Sequence, residues 1–154
     1  MEALHTEIVT DPLQGADLLG DLEVNLSRIN ALGVQQVSLL FGFAWGKHIY
    51  EKEWKELLLS PDEARALVRQ AEKQGFGRLG DDNLYLTVEA FNLRLQYSHE
   101  ADIHLSFGTP NPLVYEILDR WRDKQWLCYN QSSALKKVLG TAARQNRGTA
   151  PEND

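Results

Sequence analysis

The chain has 154 residues, of which 43% are hydrophobic and 25% are charged, and its formal net charge at pH 7 is −6. This length is about that of one domain, and the composition is too apolar for a disordered chain and lacks the long apolar run of a membrane span. Residues 1–63 hold 11 acidic and 4 basic side chains, an imbalance that disfavours nucleic acid and anionic lipid and favours a basic protein partner.

The first 60 residues contain one predicted helix and one predicted strand. Met1–Thr10 lacks the basic leader and apolar stretch of a secretory signal, so we predict a cytoplasmic location. After a turn at Asp11-Pro12, apolar residues at helical spacing predict a helix that ends at Gly33. Val34–Ala44 alternates with period two and is predicted as a strand. The pattern of His48–Leu59 fits a short helix and a strand equally well.

The next helix has the clearest start signal in the chain. Ser60 can cap the free amide of residue 63, Pro61 suits the first helical position, and Glu63 completes a capping box. Gly75 is placed to end this helix. These residues predict a helix between Ser60 and Gly75.

Three strands are predicted to follow in quick succession. They are Leu84–Val88, Phe91–Tyr97 and Ile103–Phe107, and their short links favour antiparallel neighbours. The apolar residues of the first two strands have opposite numbering parity, which predicts a tight turn or a bulge near Glu89–Asn92.

A further helix is predicted to start at Asn111-Pro112, with Asn111 as its cap and Trp121 on its buried face. A last short helix is predicted near Ser133–Ala143. Residues 144–154 are too polar to order themselves and are predicted to form a flexible tail. The sequence therefore predicts a single α+β domain over residues 1–143, built on an antiparallel sheet of about four strands with helices packed mainly on one face.

The best candidate for catalytic or metal chemistry is the cluster of His99, Asp102 and His104, which follows the predicted strand Phe91–Tyr97. Asp102 and His104 lie two residues apart on one strand face, where they could share an ion or a proton, and His99 is close in sequence. A catalytic zinc needs three protein ligands, and no recognised spacing supplies them. We interpret the cluster as a solvated sheet face. The lone Cys128 is interpreted as a small core residue.

These observations predict no catalytic residue, no metal site and no cofactor, and hence a chain that is not an enzyme. Trp45, Tyr50 and Trp54 lie in or beside an irregular segment of the acidic residues 1–63. They indicate a binding role instead, because Trp and Tyr bury large area with little loss of rotamer freedom. Neighbouring glutamates would suit a basic, apolar-studded partner. The predicted partner surface consists of Trp45, Tyr50, Glu51, Glu53, Trp54 and Glu56.

The size, acidity, expected cytoplasmic location and mixed helix–strand pattern together resemble the immunity proteins with which bacteria neutralise toxin domains. The resemblance is one of general character and involves no motif, so no residue role is carried over. It implies a non-enzymatic protein that covers the basic site of a toxin-like domain, with electrostatic steering of the encounter.

Two other functions stay open at this point. One is a small-ligand domain or enzyme with a pocket between sheet and helix, using Glu89, His99 or His104. The other is a self-associating adaptor subunit of a bacterial or phage assembly, in which exposed tryptophans mediate contacts. A monomer and a homodimer are both compatible with the sequence.

Overall fold

A computed structural model describes residues 3–42 and 56–132 of the chain. Within these ranges it has three helices and one antiparallel sheet of seven strands, so the predicted α+β class is confirmed and the predicted number of strands is wrong. The elements are β1 (Thr6–Thr10), α1 (Gly15–Ala31), β2 (Val37–Phe41), β3 (Leu57–Leu59), α2 (Pro61–Gln74), β4 (Leu84–Val88), β5 (Leu93–Tyr97), β6 (Ile103–Phe107), α3 (Pro112–Asp123) and β7 (Cys128–Asn130).

The strands lie in the order β3-β2-β4-β5-β6-β1-β7. The strands β4, β5 and β6 form the predicted antiparallel meander. Three strands account for the difference from the predicted sheet: β3 pairs with β2, while β1 pairs with β6 on one side and with β7 on the other. Two of these three have only three residues, too few for a periodic pattern to show.

One face of the sheet, here called the core face, carries the hydrophobic core. In register across the centre, Leu86, Leu95 and Leu105 lie on this face in one row, and all three are fully buried. Buried residues of α1, α2 and α3 belong to the same cluster. The described helices therefore pack on the core face, as the two-layer prediction requires.

Local capping fixes the start of α2 and of α3. The Ser60 hydroxyl accepts from the Glu63 amide at 3.1 Å, and the Glu63 carboxylate accepts from the Ser60 amide at 2.9 Å, so the predicted capping box is present. Asn111 Oδ1 accepts from the amides of Leu113 and Val114 at 3.1 Å each. Both helices begin at the predicted residue because these bonds satisfy amides that have no partner inside the helix.

Replacing Ser60 with alanine is expected to lower the free energy of unfolding by about 1 kcal/mol, because the Glu63 amide loses its acceptor. Urea denaturation measures the change. Ser60→Thr is the matched control, since threonine keeps the hydroxyl and should stay close to the wild type. Equal denaturation midpoints for Ser60→Ala and Ser60→Thr would contradict the capping role.

The core-facing residues have even numbers on β4 and odd numbers on β5. A single turn of 3₁₀ helix, Glu89–Phe91, followed by Asn92, lies between the two strands and accounts for this change. Asn92 has a φ of 49°, in the left-handed region that asparagine tolerates better than most residues. The predicted turn near Glu89–Asn92 is thus confirmed, although Phe91 belongs to the turn and not to the strand.

Cys128 was expected in the core, and this prediction is wrong: the residue is exposed. It lies on β7, which is the last in the order of the described strands and pairs among them with β1 alone. The predicted C-terminal helix near Ser133–Ala143 and the tail at 144–154 lie outside the described residues. The extent of the domain therefore stays a prediction.

Candidate functional site

The second face of the sheet, here called the far face, carries mostly polar side chains in two rows that run across the strands. Each row contains one residue from each of six strands, because antiparallel pairing places directly opposed residues on the same face. The first row is Leu58, Ser38, Thr87, Arg94, Ser106 and Glu7. The second row is Leu40, Tyr85, Gln96, His104, Val9 and Tyr129.

A concavity of about 350 Å³ opens on the far face, over β2, β4 and β5. The Ser38 hydroxyl donates a hydrogen bond to the Glu56 carboxylate at its rim. On the other side, Arg94 Nε donates to the Thr87 hydroxyl at 3.2 Å. The described residues that line it are Ser38, Leu40, Glu56, Tyr85, Thr87 and Arg94.

Arg94 differs from the other arginines of the described residues in its charge environment. Six of those seven arginines have a carboxylate within ion-pair distance, whereas Arg94 has none among the described residues. Its guanidinium nitrogens Nη1 and Nη2 therefore remain available on the far face. The six paired arginines are Arg28, Arg65, Arg69, Arg78, Arg120 and Arg122.

The other charged group of the far face is centred on His104. Its Nδ1 lies 2.9 Å from Glu7 Oε2 on β1, and its Nε2 lies 3.0 Å from Asp102 Oδ1. Ser98 donates a further hydrogen bond to the same Asp102 oxygen. The His104 side chain is 19% exposed, so the interpretation of Asp102 and His104 as a solvated surface is wrong, and the alternative in which they share a proton describes the geometry.

Two opposing effects act on the His104 ring. Burial disfavours the charged imidazolium, but the hydrogen bonds with the carboxylates of Asp102 and Glu7 outweigh it, and the pKa of His104 rises from 6.5 to about 9. The ring is therefore an imidazolium at neutral pH that uses both nitrogens to bridge two carboxylates. This arrangement holds β1 and β6 together and leaves neither nitrogen free to act as a base.

A second polar cluster is buried on the core face, between α1, α3 and β5. Asp21 Oδ1 accepts from Arg120 Nη2 at 2.9 Å and from Trp121 Nε1 at 3.0 Å. Asp21 Oδ2 accepts from Asn25 Nδ2 at 3.0 Å and from the Tyr97 hydroxyl at 2.9 Å. This saturated cluster connects three elements, which indicates a structural role.

Arg120 is largely shielded from water in this cluster. Its side chain is 17% exposed, and that of its partner Asp21 is fully buried. Burial raises the pKa of Tyr97 well above its ordinary value, and the nearby charge of Asp21 acts in the same direction. The Tyr97 hydroxyl therefore stays protonated and serves as a donor to the carboxylate.

The edge strand β3 presents three consecutive leucines. Leu57 is 41% exposed and lies on the core-face side, while Leu58 is 62% exposed and lies in the first row of the far face. Edge strands of soluble proteins are usually short or protected by charges and prolines, since their outer backbone groups can pair with another chain. β3 is short, but it carries no charge or proline of its own.

Of the predicted partner surface, only Glu56 falls within the described residues. Trp45, Tyr50, Glu51, Glu53 and Trp54 lie outside them, so the prediction for these five stays untested. Glu56 precedes β3 and points its carboxylate toward Ser38. The structure thus connects one predicted residue with the concavity of the far face.

The three residues considered for an enzyme pocket do not come together. Glu89 follows β4 at the β4–β5 turn, whereas His99 follows β5 at the opposite end of the sheet. The His99 amide and Nδ1 lie 2.8 and 3.2 Å from Asn83 Oδ1. The concavity described above lies on the far face, not between the sheet and a helix.

Sequence reasoning missed Arg94, Ser38 and Thr87. A signal for them existed, because each alternates with core residues of a recognised strand and must therefore lie on the other face. That signal identifies the face but not which polar residues meet across strands. Register, set by turns elsewhere in the chain, decides this.

Within residues 3–42 and 56–132, no group of three or more histidine, cysteine, aspartate or glutamate side chains is arranged to hold a metal ion. Among the described helices, none has both the length and the apolar character needed to cross a bilayer. Compared with known proteins, the chain matches no protein-family model, no curated protein and no solved structure.

Proposed function

We propose that the chain is a non-enzymatic protein-binding domain and that its partner is a basic protein, with a bacterial toxin-like domain as the first candidate. The observation that carries the proposal is the exposed leucine edge of β3. An extended segment of a partner can pair with the outer backbone groups of this strand while its side chains cover Leu57 and Leu58. An uncharged edge strand with exposed leucines on both of its faces is suited to pairing with another chain.

The charge of the chain supports a basic partner. The net charge is −6, and the acidic excess falls in the first 63 residues, which include β3 and Glu56. A basic partner would be steered toward this half of the molecule, and the association rate would fall as salt screens the attraction. The predicted surface from Trp45 to Glu56 immediately precedes β3 in the chain and would extend the same contact.

Replacing Leu58 with lysine tests this function. We expect affinity for the partner to fall roughly ten- to a hundredfold, because burying a leucine contributes about 1.5–3 kcal/mol and a lysine at the edge also repels a basic partner. Leu127→Lys is the matched control, since Leu127 is also exposed but directly precedes β7, at the opposite end of the described strand order from β3. The measurement is quantitative affinity capture from a native lysate at low and high salt, with the three proteins as baits.

A basic protein retained by the wild type and by Leu127→Lys, lost from Leu58→Lys and released by high salt, would support the proposal. Identical captures by all three baits would refute it. Sedimentation of the wild type alone tests the alternative of a self-associating adaptor subunit. A dimer that Leu58→Lys abolishes would show that β3 pairs with a second copy of the chain.

A further inference from the structure

The concavity of the far face holds one acidic and one basic group that do not neutralise each other. Glu56 stands at the β2 side and Arg94 on β5, with the β4 hydroxyl of Thr87 between them in the register. Among the described residues neither group forms an ion pair, although the other six described arginines do. Two unlike charges on one concave surface are therefore open to a ligand.

Each charge is held in place by a neutral hydroxyl of the same row. Ser38 donates to Oε2 of the Glu56 carboxylate, and Thr87 accepts from Arg94 Nε; among the described residues, Glu56 Oε1 and the fork of the two Arg94 Nη groups have no hydrogen-bond partner. Such a fork matches the two oxygens of a carboxylate, and charge-assisted hydrogen bonds of this kind are the strong ones. A carboxylate oxygen in turn accepts from an ammonium group.

We propose that this concavity binds a small zwitterion, a molecule with a carboxylate for Arg94 and an ammonium group for Glu56. Free amino acids with separated charges and dipeptides belong to this class. Leu40 offers an apolar contact for the carbon chain between the charges, and Tyr85 and Thr87 add hydroxyls. The site shares Glu56 with the predicted partner surface, but its basic half lies elsewhere, because Arg94 is on β5, three strands along the sheet from the β3 edge.

The spacing of the sheet limits the ligand. The hydroxyls that hold the two charged groups belong to Ser38 and Thr87, which are directly opposed on neighbouring strands about 4.8 Å apart. We therefore expect the charged atoms of the ligand to lie only a few ångströms apart. The volume of about 350 Å³ lies at the small end of the range of ligand pockets.

The test is titration of the isotope-labelled protein with β-alanine, γ-aminobutyrate and glycylglycine, followed through backbone amide NMR shifts. We expect at least one of these probes to give saturable shifts confined to β2, β4 and β5 around the concavity. Acetate and methylammonium, each carrying one of the two charges, should give at least tenfold weaker binding at matched ionic strength. Arg94→Gln and Glu56→Gln should each weaken binding at least tenfold.

Arg65→Gln is the matched control, since Arg65 lies on α2, on the core-face side of the sheet, and it should bind the zwitterion as the wild type does. Leu57→Lys should also bind it, because Leu57 is exposed on the core-face side of β3, and this variant separates the site from the proposed protein contact. Saturable shifts that persist in Arg94→Gln, equal binding of acetate alone, or no saturable shift with any zwitterion would each overturn the proposal. Unchanged spectra outside the concavity establish that the variants are folded.

Discussion

Replacing Asp21 with alanine is expected to lower the free energy of unfolding by about 3–5 kcal/mol, the largest effect of any single change considered. The substitution removes the acceptor of four side-chain donors and leaves the Arg120 charge without its buried counterion. An unpaired charge and unsatisfied polar groups in a low-dielectric interior cost far more than the lost contacts themselves. Urea denaturation of the two proteins at neutral pH measures the difference.

Two controls test whether the loss of stability comes from the burial of this cluster and not from breaking any ion pair. Glu116→Ala breaks the Arg28–Glu116 pair, whose side chains are exposed, and should cost less than about 1 kcal/mol. The double variant Asp21→Ala with Arg120→Met should recover part of the loss, since it removes the uncompensated charge. A cost below 1 kcal/mol for Asp21→Ala, or no recovery in the double variant, would show that water solvates the cluster.

The second large effect is a loss of stability between about pH 6.5 and pH 9, which depends on His104. The pKa of this ring is raised in the folded protein from 6.5 to about 9, so folding favours the protonated form. The stabilisation is fully present below pH 6.5 and is lost as the pH rises through 9. A difference of this size corresponds to on the order of 3 kcal/mol.

The ionisation of Asp102 sets the low-pH limit of the interaction between Asp102 and His104. Burial alone would raise its pKa, but hydrogen bonds with His104 and Ser98 lower it from the ordinary value of 3.8. Its contribution is therefore present above that value and is lost as the pH falls further. The bridge is stable in the window between the two titrations, and the pH dependence of unfolding should be steep on either side of it.

His104→Gln provides the measurement. The free energy of unfolding of this variant should change little between pH 6.5 and 9, whereas that of the wild type should fall by up to about 3 kcal/mol relative to it. His99→Gln is the control, because His99 lies near in sequence but outside the bridge, and it should follow the wild-type profile. Parallel profiles for the wild type and His104→Gln would rule out the bridge as the source of stability.

Signals confined to a few consecutive residues predicted the structure well. Ser60, Pro61 and Glu63 act within one helical turn, so the start of α2 followed from the sequence, and Asn111 gave the start of α3 in the same way. The strands β4 and β6 were long enough for their alternation to be read directly.

Features that depend on distant partners were missed. The strand β1 pairs with residues about a hundred positions later in the chain, and β7 completes its other side. Aspartate and arginine usually lie on protein surfaces, and Asp21 and Arg120 are interior residues only because α1, α3 and β5 pack together around them. Arg94 was on a recognised strand, but whether a described carboxylate lies within ion-pair distance of it depends on the neighbouring strands of the far face and cannot be read from its neighbours in sequence.

The place of β1 in the sheet has a consequence for synthesis on the ribosome. Thr6–Thr10 emerges before the other described strands, yet its two neighbours are Ile103–Phe107 and Cys128–Asn130. The strand must wait, unpaired, while about a hundred residues are translated, and closing so long a loop is slow. Glu7, the second residue of the strand, adds a charge that disfavours aggregation during this delay. The glutamate that contacts His104 in the folded protein is therefore expected to oppose premature pairing of the nascent strand as well.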